Sequence, residues 1–156
     1  MRFVLFVVFT AFLLFVQGLL GRLTTLAPDL GPILAVYVGL FARRETSAWA
    51  ITVVALLRSA LDADPLGVQL LVYLLLAGMV DLARDVVFRE RLATQVVMSF
   101  AAGSVYVVLK WGLAAALPAS IGLATPSLLK LAFATLSATL LAPPVFALLR
   151  LFRALP

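Results

Sequence analysis

The chain has 156 residues, of which 65% are hydrophobic and 12% charged, with a formal net charge of +5; an ordinary soluble domain carries about 25% charged residues. With a mean hydropathy of +1.19, this excludes a soluble globular domain, a disordered tail and a nucleic-acid-binding arm, and leaves an integral membrane protein with little mass outside the bilayer. Cysteine and histidine are absent, which removes thiol chemistry, iron–sulfur clusters, Cys/His zinc sites, His-ligated haem and histidine base catalysis, so no metal or cofactor is expected.

A helical span needs about 20 residues, and the uncharged runs give room for six. The first helix covers 3–20. Its apolar run is long for a signal peptide and lacks a small-x-small cleavage site, so it is expected to be retained. Phe3, Phe6, Phe9, Phe12 and Phe15 recur every third residue. Each step slips about 60° on a helix of about 3.6 residues per turn, so the rings spread around the axis and form no single stripe. They supply either lipid-facing bulk or a surface for a partner helix that follows the i±3 ridge.

The second helix, 27–41, opens at Pro28 and Asp29, and the third covers 46–61. Both are short for a hydrocarbon layer of about 30 Å, which implies little tilt, flanking polar extension or local thinning. The fourth, 65–84, starts at Pro65 with Asp64 as an N-cap. The fifth, 92–117, carries Ser99, Ala102, Gly103 and Tyr106 near one face and ends before Pro118 and Gly122. The sixth, 127–151, has Thr125 and Pro126 ahead of it. Ala134, Ser137, Ala138 and Ala142 form a small-residue face there, and Pro143 and Pro144 should kink its far end. Small faces let backbones approach, so the fifth and sixth helices are expected to pack closely. Lys110 with Trp111, and Lys130, look like interface anchors. The two halves show no repeat.

Loop charges orient this bundle. With the N-terminus in the cytoplasm, one side carries Arg2, Arg43, Arg44, Arg84, Arg89, Arg91, Arg150 and Arg153. The other carries Arg22 and Lys110 with Asp29, Asp62 and Asp64. Basic residues mark the cytoplasmic side, so the expectation is six spans with both termini inside, as one transmembrane domain over 1–156.

Two constellations stand out. Arg58 lies inside the outer end of the third helix, one turn before Asp62 and within reach of Asp29. A charge within a span costs roughly 2.5–3.5 kcal/mol at the membrane centre. It is met here by snorkelling, by structural pairing in an Asp29–Arg58–Asp62 cluster, or by a ligand or partner. Asp81, Arg84 and Asp85 share the inner end of the fourth helix, either as a solvated helix end or as a docking surface for a cytoplasmic partner. No Ser–Lys dyad or Gly-rich phosphate loop exists, and no span carries a continuous polar stripe. Neither an enzyme nor a lone channel is expected.

Two segments then carry a resemblance. Leu26-Ala27-Pro28-Asp29-Leu30 opens the second helix, with Tyr37 following. Ala55-Leu56-Leu57-Arg58-Ser59-Ala60-Leu61-Asp62-Ala63-Asp64-Pro65-Leu66-Gly67 leads into the fourth. This resembles the rod shape-determining protein MreD family, with a Pro-Asp-apolar opening of the second span and a Leu-Gly pair after the third. Ala55 stands where that family has glycine and Ser59 where it has an acid, with Asp62 on the same helical side as a substitute.

The resemblance implies a non-enzymatic scaffold or regulatory subunit of the bacterial elongation machinery for rod shape and peptidoglycan synthesis, in the cytoplasmic membrane. It implies binding to an MreC-like bitopic protein, and action with RodA and its penicillin-binding transpeptidase. Phe6, Phe9 and Phe12, with Pro28 and Asp29 at the outer rim, are the expected partner contacts. The family's fold looks like the six-helix substrate-binding subunits of energy-coupling-factor vitamin transporters. That likeness supplies the alternative, a small-molecule-binding subunit. A vitamin binder is expected to show a deep outer pocket and an Ala-x-x-x-Ala motif in the first span, whereas this first span is rich in phenylalanine.

Overall fold

Eleven of the twelve residues of the second helix are buried, because it is apolar on every side and the other helices enclose it. The computed structural model describes residues 2–24, 27–61, 65–85, 91–117 and 127–151. They form α1 (Arg2–Leu23), α2 (Leu30–Phe41), α3 (Arg44–Leu61), α4 (Leu66–Ala83), α5 (Leu92–Ala116) and α6 (Leu128–Leu151), with no strand among the described residues. Each of the other five helices packs on α2.

Successive helices run in opposite directions. The start of α2 meets the last turns of α1 and α3 and the first turns of α6, through Gln17, Arg58 and Ala134. The end of α2 meets Arg84 at the end of α4 and Arg150 at the end of α6. These two ends are called the Asp29 end and the Arg84 end.

Four helices, α1, α4, α5 and α6, are long and apolar enough to cross a membrane, which makes this an all-helical, multi-pass membrane protein. Two helices fall outside that set for physical reasons. α3 carries Arg44, Glu45 and Arg58. α2 has 12 residues, about 18 Å at 1.5 Å per residue. Its shortness needs neither thinning nor tilt at its own surface, since it touches protein instead of lipid.

Helix bounds agree with the sequence expectation to within a turn, and the shifts have causes. α2 begins at Leu30, three residues later than Ala27, because Asp29 is its N-cap and accepts from the Gly31 amide at 3.1 Å. Pro28 therefore precedes the helix. Pro32 sits in the first turn, where its missing N–H has no intrahelical partner to lose. α3 begins two residues earlier than expected, at Arg44, with the Arg43 carbonyl accepting from the Thr46 and Ser47 amides. The expected caps Asp64 and Thr125 lie outside the described residues, as do Asp62, Arg89, Pro118 and Gly122. α6 continues through Pro143 and Pro144 to Leu151.

Along α1 the buried positions are Phe6, Thr10, Leu14 and Gln17, spaced by four, four and three, which is one helical stripe. Val4, Val8, Phe12, Phe15 and Leu19 form the opposite, exposed ridge.

α5 and α6 pack tightly, as their small residues require. Ser99, Ala102, Gly103 and Tyr106 are buried on α5. A Cβ on Gly103 would run into the Thr135 methyl. The α6 face differs from the expected one. Leu131, Thr135, Ala138, Thr139 and Ala142 are buried, while Ala134 and Ser137 are half-buried. Threonine serves in a close seam because its hydroxyl can bond its own backbone, as Thr139 does to the Thr135 carbonyl at 2.8 Å.

Candidate functional site

The site grows from the N-cap of α2. Asp29 Oδ1 accepts from the Gly31 amide at 3.1 Å and from the Gln17 side-chain amide at 3.4 Å. Gln17 Oε1 in turn accepts from the Leu30 amide at 2.9 Å. Two of the orphan amides at the start of α2 are thereby satisfied, one by the cap and one by α1. Asp29 Oδ2 accepts from Arg58 Nη2 of α3 at 3.3 Å, and each side chain is only 11% exposed. The backbone amide of Asp29 points to the Ala134 carbonyl of α6 at 3.5 Å. One carboxylate thus ties α1, α2 and α3 together, with α6 alongside.

Deeper in the bundle, Tyr73 of α4 and Tyr106 of α5 stack at 5.9 Å between ring centroids. Lys110 Nζ lies 5.8 Å from the Tyr106 ring centre. Tyr73 occupies the space that a side chain on Gly31 would need, so glycine at the first turn of α2 admits the ring. Gln69 is fully buried on α4.

Outside this network a cleft of about 410 Å³ opens, lined by α1 (Gln17, Gly18, Gly21, Arg22), the approach to α2 (Thr24, Ala27, Asp29), α3 (Arg58, Leu61) and α6 (Lys130, Leu131, Ala134). Its walls mix these polar side chains with small and apolar ones, and Arg22 and Lys130 are exposed.

The Arg84 end is a clasp. Arg84 Nη1 donates to the Ala42 carbonyl at 2.9 Å, just past the last turn of α2. A cation there is favoured by the helix dipole as well as by the bond. Arg84 also pairs with Asp81 at 3.0 Å, and Arg44 of α3 reaches Asp81 at 3.3 Å and Asp85 at 3.4 Å. Arg150 stands over the Phe41 ring at 5.4 Å.

The sequence-predicted residues therefore distribute unevenly. Asp29 and Arg58 meet as one buried pair, so Arg58 faces the bundle and does not snorkel. Their expected third member, Asp62, lies outside the described residues. Asp81 and Arg84 pair with α3 and with the end of α2 within the chain, while Asp85 and Arg44 are the exposed members of the cluster.

Phe6 corrects the expected row of partner contacts. It is fully buried, Phe9 is partly buried, and Phe12 is 59% exposed. Steps of three residues carry successive rings around the helix, so the first of them turned into the core. Pro28 is half-buried beside Asp29.

Gln17 carries no charge to mark it in the sequence; its signal is a lone amide within an apolar helix, a group that lipid does not tolerate unpaired. Among the described residues, no group of three or more Asp, Glu, His or Cys side chains is placed to hold a metal. No family model, curated protein or solved structure matches the chain.

Proposed function

We propose that the protein is a non-enzymatic membrane scaffold of the MreD kind, which holds a bitopic, MreC-like partner within the bacterial cytoplasmic membrane for rod-shape and peptidoglycan synthesis, together with RodA and its penicillin-binding transpeptidase. The observation that carries this reading is the exposed ridge Val4-Val8-Phe12-Phe15-Leu19 on α1. Its spacing of four, four, three and four residues is that of a helix-packing seam. α1 packs on α3 and α2 only along its other face. In lipid, shape and packing drive helix association, and rigid rings offer large contact areas. The Pro28-Asp29 and Ala55–Leu61 segments that carry the family resemblance support it too, because they meet in the Asp29–Arg58 pair and brace the frame that presents α1.

The partner contact is tested by co-purification from native membranes. Phe12→Leu with Phe15→Leu keeps hydrophobicity and leaves the buried Phe6 untouched. This variant is expected to insert normally and lose capture of the single-span partner at least about ten-fold, roughly 1.4 kcal/mol. Unchanged capture would reject the ridge as the interface.

In this reading all six helices span the membrane, with the Arg84 end and both termini in the cytoplasm. The charges of Arg43, Arg44, Arg84, Arg91 and Arg150 support that orientation. The chain has no cysteine, so single introduced thiols report cleanly. In intact cells an impermeant maleimide is expected to label Lys130→Cys and spare Arg44→Cys. The reverse pattern would invert the topology.

The 410 Å³ cleft favours one second reading, a small-molecule-binding subunit like those of energy-coupling-factor transporters. Retention of a small molecule through purification, with no single-span protein captured, would replace the scaffold reading by that one.

A further inference from the structure

The cleft at the Asp29 end holds more positive charge than its ion pair uses. Asp29 answers Arg58 at 3.3 Å. Arg22 and Lys130 line the same cleft and have no ion-pair partner among the described residues. Lys130 is the third residue of α6, at the positive end of that helix's dipole, where a cation is disfavoured and a nearby anion is not.

Beside the polar side chains of Gln17, Thr24, Asp29 and Arg58, the cleft has an apolar wall that is cut back. Leu61, Leu131 and Ala134 line it with Gly18 and Gly21 of α1. A Cβ on Gly18 would meet nothing nearer than Leu61 at 4.0 Å, and one on Gly21 nothing nearer than Ala27 at 3.8 Å. The two glycines therefore are not needed for close helix packing, and each weakens the helix relative to alanine. They keep the cleft open.

Two exposed cations on an open cleft of about 410 Å³ whose wall is part polar and part apolar match a group that is itself anionic at one end and apolar at the other. We infer that this cleft binds a phosphate ester, with the phosphate between Arg22 and Lys130 and the attached carbon skeleton along Gly18, Leu61 and Ala134. The source of the phosphate is either a phospholipid headgroup, whose chains continue into the bilayer, or a soluble phosphate ester. The inference does not rest on the partner contact proposed for the α1 ridge.

The test uses the full chain, purified in detergent and stripped of lipid, with native mass spectrometry as the readout. The probes are phosphatidylglycerol, phosphatidylcholine and glycerol 3-phosphate. If the lipid is the source, phosphatidylglycerol adducts should exceed phosphatidylcholine adducts and resist excess glycerol 3-phosphate. If a soluble ester is the source, glycerol 3-phosphate should bind in the absence of lipid and displace phosphatidylglycerol. Either result supports the site provided it falls at least about ten-fold in two folded variants, Arg22→Gln with Lys130→Gln, and Gly18→Leu. The leucine is the decisive arm, because it fills the cleft and leaves every surface charge in place. Diffuse attraction of basic residues to headgroups would survive it. Binding that is equal in Gly18→Leu, equal for the zwitterionic lipid, or absent for all three probes would overturn the inference. Unchanged melting temperatures confirm that the variants are folded.

Discussion

Asp29→Ala is expected to cost the most folded protein of any single substitution in the chain. The change removes the N-cap of α2, worth about 1 kcal/mol. It also removes the carboxylate that Asp29 sets against the buried Arg58 guanidinium. Breaking a buried pair from one side costs about 3–5 kcal/mol, a large share of a stability of about 5–15 kcal/mol. Arg58→Ala should cost less, because Asp29 keeps the Gly31 amide and the Gln17 side chain as donors. Asp29→Ala with Arg58→Ala should cost less than the sum of the two, by at least about 1 kcal/mol, since both changes remove the same ion pair. Asp29→Asn with Arg58→Met keeps a capping oxygen and buries no charge, and is expected to recover most of the loss. Thermal unfolding in detergent and the folded yield from membranes measure all four. Strict additivity of the two alanine changes would mean that the pair carries no coupling and that Asp29 acts as a cap alone.

The cost of a charge in lipid decides which contacts show in the sequence and which do not. A charge inside an apolar run is costly enough to demand a partner, so Arg58 and Asp29 stand out in the sequence although they are far apart along it. The six apolar runs stand out for the same reason, since charges and prolines interrupt them. Facing is another matter. In water a helix shows its core side by contrast with a polar side, but in lipid both sides are apolar. Nothing in the spacing of the α1 rings marks Phe6 as buried and Phe12 as exposed. On α6 the seam fell on Thr135 and Thr139 instead of Ala134 and Ser137, because size alone ranks these residues almost equally. The clasp at the other end was legible only within α4. Asp81 and Arg84 announce themselves as an i,i+3 pair, whereas the Ala42 carbonyl that Arg84 caps is backbone and carries no sequence signal. The enclosure of α2 carries no clear sequence signal. Uniform apolarity suits lipid and protein surroundings alike, and its 12 residues invite explanations in terms of bilayer thickness that the surrounding helices make unnecessary.

That enclosure makes Gly39 the second sensitive position. It lies on α2 against α4, and a Cβ there would stand 2.8 Å from both Cβ and Cγ1 of Val80 and 3.0 Å from the Ala77 carbonyl oxygen. Val80 is buried and β-branched, so it has few rotamers with which to yield. The carbonyl belongs to the α4 backbone and can retreat only if the helix does. Gly39→Ala gains up to about 1 kcal/mol of helix propensity, but overpacking of this kind costs about 1–3 kcal/mol, so the collision is expected to win and Gly39→Val to be worse. Adding Val80→Ala should restore part of the loss by removing the side-chain collision, and not all of it, since the Ala77 oxygen stays. Gly78 supplies the control on α4. Nothing stands within 4 Å of a Cβ there, so Gly78→Ala keeps the propensity gain without the collision and should leave the melting temperature unchanged or raised. The two alanine substitutions are the same chemical change with opposite expected signs. If Gly39→Ala melts at or above the temperature of Gly78→Ala, α2 and α4 are not held at this separation, and the central helix has room to move within its sheath.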